Sequence, residues 1–206
     1  MNGYRITRDK FLSEPESNQL IATCRDLAQD NLKKGRRTWP TRHMLVHLAL
    51  KSGLRVSEMA ALKIGDLWLT ARESFLVVRR GKGGKRRDVY LDQDLAAHLT
   101  LYLGLKTKVW HEPADSHSPL FAGRGGGHYT TTALQLSFKR ALAAAGLSPT
   151  YSIHSARHTY ATHLLAKTNN LRFVQKQLGH ASMTMTAHYA DVLPELNQTL
   201  ANAILN

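Results

Sequence analysis

Apolar residues recur at helical spacing along most of the chain, and the period drops to two in only one stretch. Ser13-Glu14-Pro15-Glu16 reads as a capping box with proline at the first helical position. It opens a helix whose apolar face carries Leu20, Ile21, Cys24, Leu27 and Ala28. Pro40 starts a second helix with Leu45, Val46, Leu48 and Ala49 inside, and Gly53 closes it in a C-cap position. A short helix is predicted around 56–62. Then alternation takes over: strands at 68–70, 75–78 and 89–91, with Gly81-Lys82-Gly83-Gly84 as the turn before the last, make a small antiparallel sheet. Helical spacing returns over about 92–108, with Asp92 as N-cap and Leu95, Leu99, Tyr102 and Leu103 on one side. After a loop at 111–119 and a glycine-rich turn at 123–127, helices are predicted over about 130–145, 155–168, 171–178 and 194–205.

This pattern predicts an α+β domain, mostly α-helical, with helices around one small antiparallel sheet. With 206 residues, 43% of them apolar, the chain suits one compact domain. Lys and Arg number 28 against 15 acids, a net charge of +13, which points to a polyanionic partner, nucleic acid first. A basic protein that is merely soluble would scatter its charges. Here Lys33, Lys34, Arg36 and Arg37 form one block, and Arg79, Arg80, Lys82, Lys85, Arg86 and Arg87 form a denser one among glycines, each able to follow a phosphate backbone. The single cysteine, Cys24, excludes a disulfide framework and a cysteine zinc site, and fits a reducing cytosol. No apolar run approaches the ~18 residues of a membrane span, so no membrane partner is expected.

Four pieces carry candidate chemistry: Gly53-Leu54-Arg55-Val56-Ser57-Glu58, the glycine-lysine turn at 81–85, His154-Ser155-Ala156-Arg157-His158, and Leu178-Gly179-His180 with Tyr189 nine residues further on. Each alone has a plain structural reading. Arg55 could be a surface arginine pairing with Glu58, His180 a histidine on a helix C-terminal dipole, and Tyr189 one packing tyrosine among seven. Together, in this order and spacing, they resemble the tyrosine recombinase (phage integrase) family over nearly the whole chain.

The resemblance implies roles. Tyr189 would be the nucleophile, Arg55 and Arg157 the clamp on the scissile phosphate, His154 an acid-base group and phosphate ligand, His180 a phosphate ligand, and Lys82 the proton donor. Glu58 would orient a neighbouring basic group, and His158 and His163 would be structural. Lys33, Lys34, Arg36, Arg37, Arg79, Arg80, Lys85, Arg86 and Arg87 would contact DNA. Ala156 departs from the family, which commonly has leucine there, and removes no reactive group. The resemblance further implies double-stranded DNA as substrate, a 3′-phosphotyrosyl intermediate, exchange through a Holliday junction, a homotetramer on DNA that can be monomeric when free, and a nucleoid-associated place in the cytoplasm.

The residue types fit that chemistry on their own terms. A phosphodiester transition state spreads negative charge over nonbridging oxygens, which planar guanidinium forks bind bidentately. Tyrosine has a pKa near ~10, and a cationic cluster favours loss of its proton. The leaving 5′-oxygen needs a donor, and a lysine among arginines can be one. No cofactor or metal is expected: acids are scattered rather than clustered, and His43 and His47, although spaced as a helical pair, lack a third ligand or an intervening glutamate.

Two other functions remain compatible with parts of the pattern. A type IB topoisomerase would use the same residues to relax supercoils, and a noncatalytic DNA-binding regulator would need no complete set. Only about fifty residues precede Arg55, so a single catalytic domain over 1–206 is expected, without an N-terminal DNA-clamping domain. Both a short recombinase and a catalytic domain separated from its clamp fit this layout. In the last helix Leu193, Leu196, Leu200 and Ile204 form an apolar stripe that could dock on a neighbouring subunit or on its own core.

Overall fold

The computed structural model describes residues 6–79, 86–123 and 126–190. Arg80, Lys82 and Lys85 lie outside the described residues, as does the helix expected over 194–205 with its apolar stripe. The described residues hold eight α-helices around one three-stranded sheet.

Helix α1 (Glu14–Lys33) starts where its capping box places it: the Glu16 amide donates to Ser13 Oγ at 3.3 Å and the Ser13 amide donates to Glu16 Oε2 at 2.7 Å. Helix α2 (Thr38–Ser52) is apolar nearly all round, with Met44, Leu45, Val46, Leu48, Ala49 and Leu50 buried. Such a helix has to be covered on every side. It is wrapped by α1, α4 (Gln93–Lys108), α5 (Thr131–Ala144) and α6 (Ile153–Thr168). It begins two residues before Pro40, which costs nothing because first-turn amides have no helical acceptor.

After α3 (Val56–Ala61) come β1 (Leu67–Leu69), β2 (Ser74–Val78) and β3 (Arg87–Tyr90), antiparallel in the order β1-β2-β3. Leu76, Val78 and Val89 point to the core. Trp68, Phe75 and Tyr90, paired directly across the strands, form an aromatic row on the other face. The strands sit within one or two residues of the expected ranges, the usual fraying at element ends. α7 (Leu171–Leu178) and α8 (Met183–Ala187) complete the fold. α8 was not expected, since five residues are too few to show a helical period.

The main core runs from α1 through α2 and the sheet to α5. Cys24 is fully buried there, and burial pushes its thiol up to about 12, so it packs as an inert apolar group. A second, smaller core joins Ile6 and Phe11 to Tyr160, Leu165, Val174, Leu178 and Tyr189. Between α2 and α4, His98 joins the His43 and His47 pair, its ring centroid 4.2 Å from that of His43 and its Nδ1 2.8 Å from His47 Nδ1. The His43 and His47 rings stack and His98 tilts against His43, and no group of three donors among the described residues is arranged to hold a metal ion. No helix among them is long and apolar enough to cross a membrane.

Candidate active site

Two helix ends meet at Arg157. Its side chain, 7% exposed, donates from Nη1 to the Gly53 carbonyl and from Nη2 to the Leu178 carbonyl at 2.9 Å. These carbonyls belong to the C-terminal ends of α2 and α7, where unpaired oxygens and the helix dipole present negative charge to a buried cation. Burial first, and Arg55 second, lower its pKa to about 10, so the guanidinium stays charged at neutral pH. Both helices end on a left-handed glycine, Gly53 at φ 62° and Gly179 at φ 64°. A Cβ on Gly53 would sit 2.4 Å from the Tyr160 ring, and one on Gly179 2.7 Å from Arg87 Cδ. The sharp exits after these glycines deliver Arg55 and His180 to the same cavity.

Glu58 organises the arginines. It stands in the first turn of α3, where Oε2 accepts the Arg55 amide at 2.8 Å and Oε1 accepts Arg55 Nη1 at 3.0 Å. Arg87, from β3, forks onto the same carboxylate with Nη1 to Oε1 and Nη2 to Oε2, both 2.8 Å, while its Nε donates to the Gln177 carbonyl at 3.1 Å. Burial alone would raise the Glu58 pKa, but the Arg87 contacts outweigh it and hold the carboxyl at about 2. Arg87 is therefore not the exposed phosphate contact expected from its charge block. Its side chain is only 10% exposed, and its fork is spent on Glu58 and the end of α7. Only the tertiary fold brings these partners together.

The cavity has a volume of about 410 Å³ and is lined by Arg55, His154, Arg157, His158, His180 and Tyr189, together with Ile6, Met185 and His188. His180 Nδ1 lies 3.0 Å from Thr186 Oγ1, and its ring stacks on that of Tyr189 at 6.2 Å. The Tyr189 hydroxyl is 3.1 Å from His158 Nδ1. Burial, reinforced by Arg157, lowers both His158 and His180 to about 4, so each is neutral at pH 7 and carries one donor and one acceptor nitrogen. His158, expected to be structural, thus lines the cavity beside the tyrosine. The signal was present: 154, 157 and 158 fall at i, i+3 and i+4, one face of a helix. His188, Met185 and Ile6 carried no such signal.

The other expected DNA contacts lie elsewhere. Lys33, Lys34, Arg36 and Arg37 are exposed at the end of α1 and in the loop to α2; Lys34 pairs with Asp30 at 2.7 Å and Arg37 with Glu112. Arg79 pairs with the buried carboxylate of Asp66, and Arg86 with Asp88 at 3.3 Å, both arginines remaining exposed. His163 lines a different cavity, between α1, α6 and the end of β3.

Residues 10–195 match the model of the phage integrase family. The chain belongs to the phage integrase family. Its relatives include tyrosine recombinase XerC of Bradyrhizobium diazoefficiens, 33% identical over 84% of this chain and 53% of that protein. Tyrosine recombinase XerD of Rickettsia conorii is 32% identical over 90% of this chain and 61% of that protein. The chain therefore spans between half and two thirds of the length of these relatives. Among solved structures, the XerA recombinase superposes with a TM-score of 0.74 at 27% identity, covering 94% of this chain and 64% of that one. The mostly helical fold with its small antiparallel sheet is the fold of this integrase family.

Proposed function

We propose that this phage integrase family domain is the catalytic part of a site-specific DNA recombinase, cutting and rejoining one strand at a time through Tyr189. The observation that carries the reading is the cavity in which the Tyr189 hydroxyl shares one wall with Arg55, Arg157, His154 and His180. In the reaction, the Tyr189 oxygen attacks the scissile phosphorus, the bond to the 5′-oxygen breaks, and a 3′-phosphotyrosyl link forms. His158, neutral and 3.1 Å from the hydroxyl, orients it, the cationic cluster favours loss of the tyrosine proton, and His154, the acid-base group, takes it. Arg55 and Arg157 bind the charge that develops on the nonbridging oxygens, and their orientation is set before substrate arrives by Glu58 and by the helix-end carbonyls. His180 and His154 add hydrogen bonds to the same phosphate. Lys82, outside the described residues, protonates the leaving 5′-oxygen.

The phosphotyrosyl bond conserves the energy of the phosphodiester, so rejoining is attack by a 5′-hydroxyl without ATP. The cationic side chains do the charge neutralisation that a metal ion does elsewhere. Double-stranded DNA is the substrate and four copies assemble on it.

The test is covalent attachment of the chain to a nicked suicide substrate in EDTA. Attachment should persist in chelator and vanish in Tyr189→Phe, with DNA binding unchanged, because the substitution removes a hydroxyl and no charge. Attachment that survives in Tyr189→Phe, or that needs magnesium, overturns the reading. A 5′-thio leaving group departs without a proton donor, so it should restore cleavage to Lys82→Ala and not to Arg157→Ala; without that rescue the proton donor is another group, His154 first.

A further inference from the structure

Another buried cation lies outside the cavity just described. Arg42, in α2, is 7% exposed, its guanidinium carbon sits 4.2 Å from the centroid of the Trp39 ring, and its Nε donates to Ser137 Oγ at 3.3 Å. No carboxylate of a described residue pairs with it. Its charged neighbour is instead another arginine, Arg140 of α5, and burial and Arg140 together lower its pKa. Arg157 shows what a compensated buried arginine has: two helix-end carbonyls and a carboxylate in the same network. Arg37, at the rim of the same region, has Glu112. Arg42 has an aromatic face and a hydroxyl. A buried charge without a counter-charge is unfavourable, and the missing partner is an anion.

The geometry points to where that anion goes. A cavity of about 370 Å³ opens between α2 and α5, lined by Arg42, Arg140, Thr38, Thr41, Ser137 and Tyr129. The guanidinium groups of Arg42 and Arg140, beside that of Arg37 which Glu112 already holds, and four hydroxyls present donors to an oxyanion, and a guanidinium fork matches two phosphate oxygens. The cavity shares no lining residue with the one that holds Tyr189. We propose that the Arg42–Arg140 cavity is a second phosphate site, which binds a backbone phosphate of the DNA duplex away from the point of cleavage. The ligand chemistry, a phosphate oxyanion, follows from the cavity; its source, DNA rather than a free anion, rests on the function proposed above. Docking a second phosphate would fix the duplex against α2, the helix whose end positions Arg55 and accepts Arg157.

The test uses the full chain and two variants, Arg140→Gln, which changes an exposed side chain and leaves the core intact, and Arg42→Gln. Inorganic phosphate should raise the Tm of the unmutated chain saturably, and each variant should lose most of that rise. Binding to duplex DNA, measured in the Tyr189→Phe background so that no covalent product forms, should show the slope of log affinity against log salt reduced by about one in each variant. A slope equal to that of the unmutated chain in Arg140→Gln, and in Arg42→Gln where it folds, overturns the proposal. A phosphate-dependent Tm rise with unchanged slope overturns it too, and assigns the cavity to a free anion. Failure of the unmutated chain to attach to DNA would count against strand cleavage alone, because the binding slope is read without cleavage.

Discussion

Two regions of the molecule bury groups that can carry positive charge, and they do so in opposite ways. Around Glu58 the charges are compensated: a carboxylate and three main-chain carbonyls surround the guanidinium groups of Arg55, Arg87 and Arg157. Between α2 and α4 the charge is given up. Burial, then the neighbouring rings, lower His43 to about 3 and His98 to about 4, and His47 is lowered as well, so three imidazoles in mutual contact sit there neutral. Desolvation acts on both regions, and the difference is what faces the group: an ordered set of acceptors keeps a cation, while like neighbours and apolar walls remove it. On the function proposed above, the charge kept in the cavity of Tyr189 serves to bind the scissile phosphate.

The largest effect that would break this contrast is expected at Glu58. Glu58→Gln leaves Arg55 and Arg87 without their shared counter-charge. It should cost about 3–5 kcal/mol of stability, read by urea denaturation, as expected for one partner removed from a buried pair. Replacing His98 by Gln should cost far less, since no charge is left behind; equal losses would mean the two regions do not differ as described.

Next come the arginines themselves. Arg55→Ala or Arg157→Ala should lower the rate of covalent attachment by about 10²–10³, the scale of a lost transition-state donor. A loss of less than about tenfold in either would return that arginine to a purely structural role.

Titration separates the regions by pH. A histidine whose folded pKa lies below its unfolded ~6.5 is protonated more readily in the unfolded chain, so its contribution to stability is complete above that value. It is lost as pH falls from about 6.5 towards 4, where His98 titrates in the fold. Glu58 has the same sign in a lower window: its contribution is present above the usual carboxylate range and is lost as pH falls from there towards about 2. His98→Gln should therefore flatten the stability curve only in the upper window, by at most about 1.4 kcal/mol per pH unit. Asp94, Asp92, Lys51 and Arg25 also face the histidines and remain in that variant. Flattening confined to the region below pH ~4 would count against neutral histidines in the fold.

The smallest effect contrasts neighbours in sequence. Arg86 is exposed, whereas Arg87 is tied to Glu58. Arg86→Gln should reduce the salt slope of DNA binding by about one and leave cleavage of bound DNA unchanged. Arg87→Gln should lower stability and cleavage together.

Much of this was legible from residue order. Capping at Ser13, the glycine after α2, the apolar residues Leu45, Val46, Leu48 and Ala49 inside α2 and the alternation in the sheet are local signals, each written within a few residues of the element it specifies, and these elements stand where those signals put them to within one or two residues. The motif residues Arg55, His154, Arg157, His180 and Tyr189 were legible too, as an ordered set, and the fold collects them into one cavity.

What pattern alone could not reach was charge compensation. Arg86 and Arg87 are the same residue type side by side in one basic block, and nothing local says that one will face solvent and the other fork onto a carboxylate on another element. His43 and His47 read as a pair until α4 brings His98 against them, and nothing in the residue order marks Arg42 as buried beside Trp39 and Ser137. The sequence by itself determined most of the elements, their approximate ends and the ordered set of motif residues, because propensity, capping and periodicity act over a few residues. Only the tertiary structure decided which cations are paired, which are neutral and which await an anion, because desolvation and Coulomb interaction depend on distances in space that the order of residues does not contain.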